Sequence, residues 1–304
     1  MNELILHHFD ASPYAEKVRL MLGIKQLSWS SVQIPMIMPK PDLVALTGGY
    51  RKTPVLQIGA DVYCDTSCIA RELERRFPSP TLFPDGGPGL AIALAAWGDR
   101  YFEPGAGLAM TVNEGLPGDL LRDRREFFSH MDFDALKSRV PQLYGQLLAH
   151  TTLVEEQLAD GRSYLQGSRP GLADITAFYV ISMVRGFLAE ATPMLARFPR
   201  LEAWEARIRA IGHGRPTAID AAQALAVARQ SRPTPVRGVD PGDRLGLRAG
   251  QRVSVTPDDY GKVPVAGELV TLDLQEVAIR RVDERAGEVV VHFPRIGYSI
   301  EALQ

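Results

Sequence analysis

The chain has 304 residues, of which 45% are hydrophobic and 23% charged, with a formal net charge of −2 and two cysteines. Such a chain can bury several cores in water, and its charge excludes a nucleic-acid binder held by electrostatics. The N-terminus lacks a leader pattern, no run approaches the ~20 apolar residues that span a bilayer, and two cysteines make no disulfide framework, so the expected setting is the cytoplasm, with no membrane.

Leu4-Ile5-Leu6-His7-His8-Phe9 reads as a strand, and Tyr14 to Ile24 as an amphipathic helix burying Val18, Leu20, Met21 and Leu22. Between them lies Ser12-Pro13. Serine is a favoured helix N-cap and proline a favoured first helical residue. A helix N-terminus attracts anions and lowers the pKa of a thiol placed there. Ser28 to Ile34 is a second β-prone run, followed by Pro35, Pro39 and Pro41. Asp42 to Leu46 suits a short helix stopped by Gly48-Gly49. Pro54 to Ile58 and Val62 to Cys64 flank Gly59-Ala60-Asp61 as a hairpin. Asp65-Thr66 opens a helix through Phe77. The order over residues 1–82 is βαβ, then ββα.

Pro78 to Pro88 is a linker. From about 89 to 230 strand signals vanish. Helical periodicity runs over Leu90 to Phe102, Leu120 to Ser129, Asp134 to Ala159, Leu172 to Leu188, Arg200 to Ile211 and Thr217 to Gln230, as in a helical bundle. Pro141 requires the third helix to start or bend there. After the linker Ser231 to Pro235, residues 236–304 hold about four or five short strands with Gly and Pro between them, a small antiparallel β-barrel.

Ser12 to Arg19, Leu46 to Leu56 and the pair Asp65-Thr66 follow one another at a spacing that resembles the glutathione transferase superfamily, in its serine-type, tau- and omega-like bacterial branch. Leu172 to Thr176 and Pro199 to Trp204 resemble that family's helical domain. The likeness covers residues 1 to about 230. It implies a thioredoxin-like α/β domain at 1–82 and an all-α domain at 89–230; the β domain at 236–304, of unknown role, lies beyond the likeness.

The resemblance implies that glutathione binds the first domain and that Ser12 stabilises its thiolate for attack on a small electrophilic or hydrophobic molecule. Read by itself, Ser12-Pro13-Tyr14 favours a plain helix cap. The family's loop ends in a cis-proline, here Thr53-Pro54, which would pair the backbone of Thr53 with the cysteinyl unit; a trans proline opening a strand is the plain alternative. Asp65 and Thr66 would hold the γ-glutamyl group, although Asp65 also reads as a cap. Lys40 and Lys52 are candidates for the glycyl carboxylate, and otherwise surface lysines. A homodimer is implied, through the first domain of one copy and the helical domain of the other. Trp97, Tyr101, Phe102 and Met110 are possible lining residues, or else core.

No cysteine stands at position 12, and Cys64 and Cys68 read as packed free thiols, which disfavours redox exchange. His7 and His8 have no neighbours at metal-ligand spacing, so no metal is expected. Three features depart from the family: Gly171 where a Ser or Thr cap is usual, Gly48-Gly49-Tyr50 in the loop, and the tail past residue 235. The tail keeps open a non-catalytic binding or scaffold role on the same fold.

Overall fold

Alternation in the first strand sets the layers. In β1 (Leu4–His8), Leu4 and Leu6 enter one core and Ile5 the other, as the two-residue period of a strand requires. The computed structural model describes residues 3–112 and 117–303; residues 1, 2 and 304, at the ends of the first and last expected domains, lie outside it, as do 113–116. After β1 come α1 (Pro13–Ile24), β2 (Ser28–Gln33), α2 (Pro41–Thr47), β3 (Val55–Ile58), β4 (Asp61–Cys64) and α3 (Thr66–Arg76). β1 pairs parallel with β2 and antiparallel with β3, and β3 pairs antiparallel with β4. This is the thioredoxin-like arrangement. The two histidines divide between the faces: His7 Nε2 meets Gln57 Oε1 at 2.9 Å, and His8 Nε2 meets Ser31 Oγ at 2.9 Å.

The second layer is helical: α4 (Gly87–Val112), α5 (Gly118–Phe127), α6 (Leu136–Gln157), α7 (Leu172–Phe187), α8 (Ala191–Leu195) and α9 (Pro199–Arg209). α7 is the axis, buried along most of its length, with α4 and α9 packed on it and α1 joining it from the first domain. Pro141 lies inside α6, which begins before it. Asp174 fixes the start of α7: its carboxylate accepts from the N–H groups of Gly171 (3.0 Å) and Leu165 (2.8 Å) and from Trp204 Nε1 (2.8 Å). Gly171 has a steric reason. A Cβ there would lie 2.5 Å from Pro84 Cδ and 2.9 Å from Leu82 O, so the interdomain linker leaves no room for a capping side chain.

The run expected to be wholly helical contains a strand. β5 (Arg215–Ala218) returns to the first domain and pairs parallel with β2. α10 (Ala221–Gln230) then buries Ala224, Leu225 and Ala228 in the core shared with Ile5 and Val55, so this last helix covers the sheet instead of extending the bundle. The four residues of β5 are all exposed, so no buried face selects the strand; its conformation comes from the pairing with β2.

The tail consists of β6 (Gly238–Val239), β7 (Arg252–Pro257), β8 (Val265–Leu272), β9 (Glu276–Asp283), β10 (Gly287–Pro294) and β11 (Tyr298–Ala302). Its strands are antiparallel in the order β11-β7-β8-β9-β10, with β6 alongside β8. The ladder does not stop at β10. Val290, Val291 and His292 pair parallel with Asp61, Val62 and Tyr63 of β4, so tail and first domain share one sheet. Gly48, at the C-cap of α2, has φ 78° and lies under the Arg281 guanidinium, where a Cβ would approach to 2.3 Å. The left-handed backbone at the end of α2 favours glycine at position 48, and the Arg281 side chain of the tail packs against it.

The seam is clamped by His292. Its Nε2 lies 3.1 Å from Asp61 Oδ1 and its Nδ1 2.9 Å from Glu276 Oε1, and its ring stacks on Tyr63 at 4.4 Å. Burial opposes the charge, but the two carboxylates outweigh it and the imidazole pKa lies above its ordinary 6.5. The folded state therefore holds this proton more tightly than the unfolded chain. The stabilisation is complete below about pH 6.5 and is lost as pH rises through the native value.

Two outcomes follow. Gly171→Ala should destabilise by about 1–3 kcal/mol through overpacking, seen as a lower melting temperature. His292→Gln should be less stable than the parent at acidic pH, with the difference shrinking as pH rises above 6.5 in denaturant titrations.

Candidate functional site

Ser12 caps α1, with φ −74° and ψ 118°. Its Oγ accepts the Ala15 N–H at 3.1 Å. The hydroxyl proton has no recorded acceptor among the described residues. Ser12 lines a cavity of about 320 Å³ between the first domain and the helical layer. The walls are mostly apolar, with Phe9, Met36, Phe102, Met110, Phe128 and Met183 among them. Leu120, Asp123, Arg124 and Phe127 also face it, a stripe along α5 at helical spacing. Of the four expected lining residues, Phe102 and Met110 contribute. Trp97 and Tyr101 turn into the bundle, where Trp97 Nε1 donates to His150 Nδ1 at 3.1 Å and the Tyr101 hydroxyl meets Thr151 Oγ1 at 2.8 Å.

Tyr14 packs its ring on Phe102 and Tyr179 and donates its hydroxyl to Asp99 Oδ1 at 3.0 Å. Burial raises its pKa well above the ordinary phenol value. It remains a neutral donor already committed to Asp99.

The Thr53–Pro54 peptide is cis. Thr53 lines the cavity, and its Oγ1 accepts from Lys40 Nζ at 3.3 Å. Lys40 is 5% exposed, which corrects its reading as a surface lysine. Burial first, then the nearby Arg124 and Arg51, lower its pKa to about 8 against the pull of Asp123. Sequence reasoning missed Arg51, which binds Asp123 Oδ1 and Glu126 Oε1, each at 2.8 Å, and so fastens α5 over the cleft. Arg124 was missed as well; burial lowers its pKa. Neither has a local sequence signature, since each acts through a partner on another element.

Of the remaining expected residues, Lys52 lines the cavity, whereas Asp65 and Thr66 are not among its lining residues. Asp65 has φ 76° and caps α3 through Oδ1, which accepts the Ser67 N–H at 2.8 Å. Thr66 is buried beside it as the first residue of α3. Lys52 is nearby, but its Nζ lies 2.5 Å from Asp259 Oδ1. The other Asp65 oxygen accepts the Tyr298 hydroxyl at 3.3 Å. Asp259 and Tyr298 belong to the tail, and no sequence pattern linked them to residues some 200 positions earlier. Cys64 and Cys68 are buried free thiols whose pKa values burial pushes up, unlike reactive cysteines.

Residues 6–81 match the family model of the glutathione S-transferase N-terminal domain, and 137–207 that of its C-terminal domain. A GST-like protein from Pseudomonas syringae is 38% identical, with both chains covered in full and a TM-score of 0.83. This chain belongs to the glutathione S-transferase superfamily. The full coverage includes the tail, so the added β domain has a counterpart in a solved structure. A glutathione transferase family member from Pseudomonas fluorescens, solved with two glutathione molecules bound, shares the fold at 16% identity and TM-score 0.52 over 69% of this chain and 93% of its own. FtsZ-localized protein A of Caulobacter vibrioides is 27% identical over 190 residues, 61% of this chain and 78% of that protein. Among the described residues, no helix is long and apolar enough to cross a membrane, and no group of three His, Cys, Asp or Glu side chains is placed to hold a metal.

The Lys40 shift has a stability consequence. Its native pKa of about 8 lies below the ordinary 10.5, so its buried charge opposes folding in full below about pH 8 and ceases to as pH rises toward 10.5. Lys40→Met should melt at a higher temperature than the parent at neutral pH, and the gap should narrow through that interval. A variant less stable at neutral pH would contradict this.

Proposed function

We propose that this protein binds glutathione in the cleft between its first two domains and stabilises the thiolate through Ser12 for attack on an apolar electrophile held in the adjoining cavity. The observation that carries this reading is the position of Ser12. Its hydroxyl caps α1 as an acceptor, leaves its own proton available, and borders the apolar cavity. A charge-assisted hydrogen bond from that proton, added to the field of the α1 N-terminus, favours the ionised sulfur.

In this reading Thr53 and Pro54 hold the cysteinyl backbone, Asp65 and Thr66 the γ-glutamyl group, and Lys40 and Lys52 the glycyl carboxylate. The Asp65 carboxylate suits an α-amine, and the start of α3 an α-carboxylate. Apolar walls with few polar groups suit a hydrophobic second substrate, and conjugation, dehalogenation, ether cleavage and isomerisation all fit such a site. The resemblance also carries a homodimer and a cytoplasmic setting into the proposal; light scattering on the purified chain checks the first.

One observation favours a second reading, a non-catalytic binding or scaffold protein. The tail holds both Lys52 and Asp65, two residues the transferase reading needs for ligand. The relative from Caulobacter vibrioides bears a name that records localisation with FtsZ.

Retention on immobilised glutathione separates the two. Folded protein that fails to bind rules out the transferase reading. If it binds, Ser12→Ala should raise the pKa of the bound thiol by about one to two units, followed by thiolate absorbance, because a hydrogen bond to a charged group contributes about 1.5–3 kcal/mol. The same variant should lose about 1 kcal/mol of stability from the missing cap. An unchanged thiol pKa with that stability loss would leave Ser12 as a cap alone.

A further inference from the structure

The end of the cleft that holds Lys52 is closed by the third domain. The closing segment is the turn between β7 and β8, residues 258–264. Asp259 places a carboxylate on Lys52 Nζ, and Tyr260 sets its ring 4.3 Å from the same ammonium. The turn is fastened on both sides. The Gly261 N–H donates to Phe127 O at 3.0 Å, and the Asp258 N–H donates to Gly297 O at 3.0 Å. Tyr260 packs edge-on against Phe127 at 5.2 Å and tilted on Phe128 at 5.1 Å. Gly261 has φ 58°, and a Cβ on it would lie 2.6 Å from Phe127 Cε2, so the turn is seated closely on the end of α5.

Lys52 is mostly buried, with a side chain 11% exposed. A buried ammonium needs one anion. A second carboxylate brought to it must either displace Asp259, whose side chain is 46% exposed, or share the ammonium with it, which sets like charges side by side. Lys40 has no carboxylate in ion-pair contact among the described residues; its Nζ meets Thr53 Oγ1 and the ring of Phe9, with the Asp123 charge nearby.

We propose that the β7–β8 turn is a built-in occupant of the carboxylate subsite at Lys52, which makes Asp259 a specificity-determining residue for thiol peptides. Asp259 competes with the terminal carboxylate of the ligand, so the resting cleft gives little advantage at Lys52 to a thiol peptide whose C-terminus is a free carboxylate over one whose C-terminus is esterified. This rests on the glutathione reading above and assigns the third domain a part in it. Lys40 is the same in every variant and cancels from the comparison.

The test measures, by calorimetry on the full chain, the affinities of glutathione and of its glycyl ethyl ester, and takes their ratio. Asp259→Asn should raise the preference for the free acid about tenfold over the parent, the gain from one freed lysine. Lys52→Ala added to Asp259→Asn should return the ratio to the parent value. Asp259→Ala is the second variant should the first fail to fold, with circular dichroism as the check. In the parent, saturating glutathione should speed hydrogen exchange at the Gly261 amide, and the ester should not. A ratio unchanged in both Asp259 variants, or an increase that survives Lys52→Ala, overturns the proposal and leaves the glutathione reading standing. If neither compound binds any folded variant, the glutathione reading fails and this proposal fails with it.

Discussion

The pairing of β10 with β4 is the contact on which the rest of the arrangement depends. A sheet edge presents unpaired N–H and C=O groups that seek a partner. Here the partner is the third domain of the same chain, in register from Val290 on Asp61 to His292 on Tyr63. Backbone pairing fixes the direction of the tail, and the clamp of His292 between Asp61 and Glu276 holds the seam where the ladder alone would be short. Once β10 is fixed, β7 and β11 follow through their own ladders, and the turn after β7 falls over the cleft.

The cleft itself combines opposing demands. An apolar cavity favours hydrophobic ligands, yet Lys40, Arg51 and Arg124 stand at its wall with Asp123 between them. Burial makes the Lys40 charge unfavourable, and Arg51 is tolerated because two carboxylates face it. Charge kept in such a place costs stability and marks the wall as a candidate binding surface. α5 contributes on both counts. One face supplies Leu120 and Phe127 to the cavity and Asp123 to the cations.

Much of this was legible in the chain because the signals were local. Ser12-Pro13, Asp65-Thr66 and Gly48 each mark a helix boundary by their own backbone preferences, and the structure has a helix end at each. What was not legible was made by partners distant in sequence. Arg215 to Ala218 are four exposed residues with a proline among them, too short to read as a strand, and become one by pairing with β2. Thr217 to Gln230 read as one more bundle helix, because periodicity shows that a helix has a buried face and not what buries it. The antiparallel run of the tail was clear, but its continuation into β4 depends on a free edge that no residue of the tail records. The same distance hid Asp259 and Tyr298 from the site, and the crowding by Pro84 that requires Gly171.

The two ends of the first sheet are covered by segments made late. β2 is joined by residues 215–218 and β4 by residues 290–292, so the strands of the first domain are synthesised long before either neighbour exists. While the helical layer emerges from the ribosome, both flanks of that sheet lie open. Chains that stop before residue 287 keep the β4 flank permanently bare, although Val62 and Cys64 of that strand are fully buried in the finished protein. Exposed flanks of that kind attract other strands. Premature termination should therefore be more harmful here than the number of lost residues suggests, with self-association as its form.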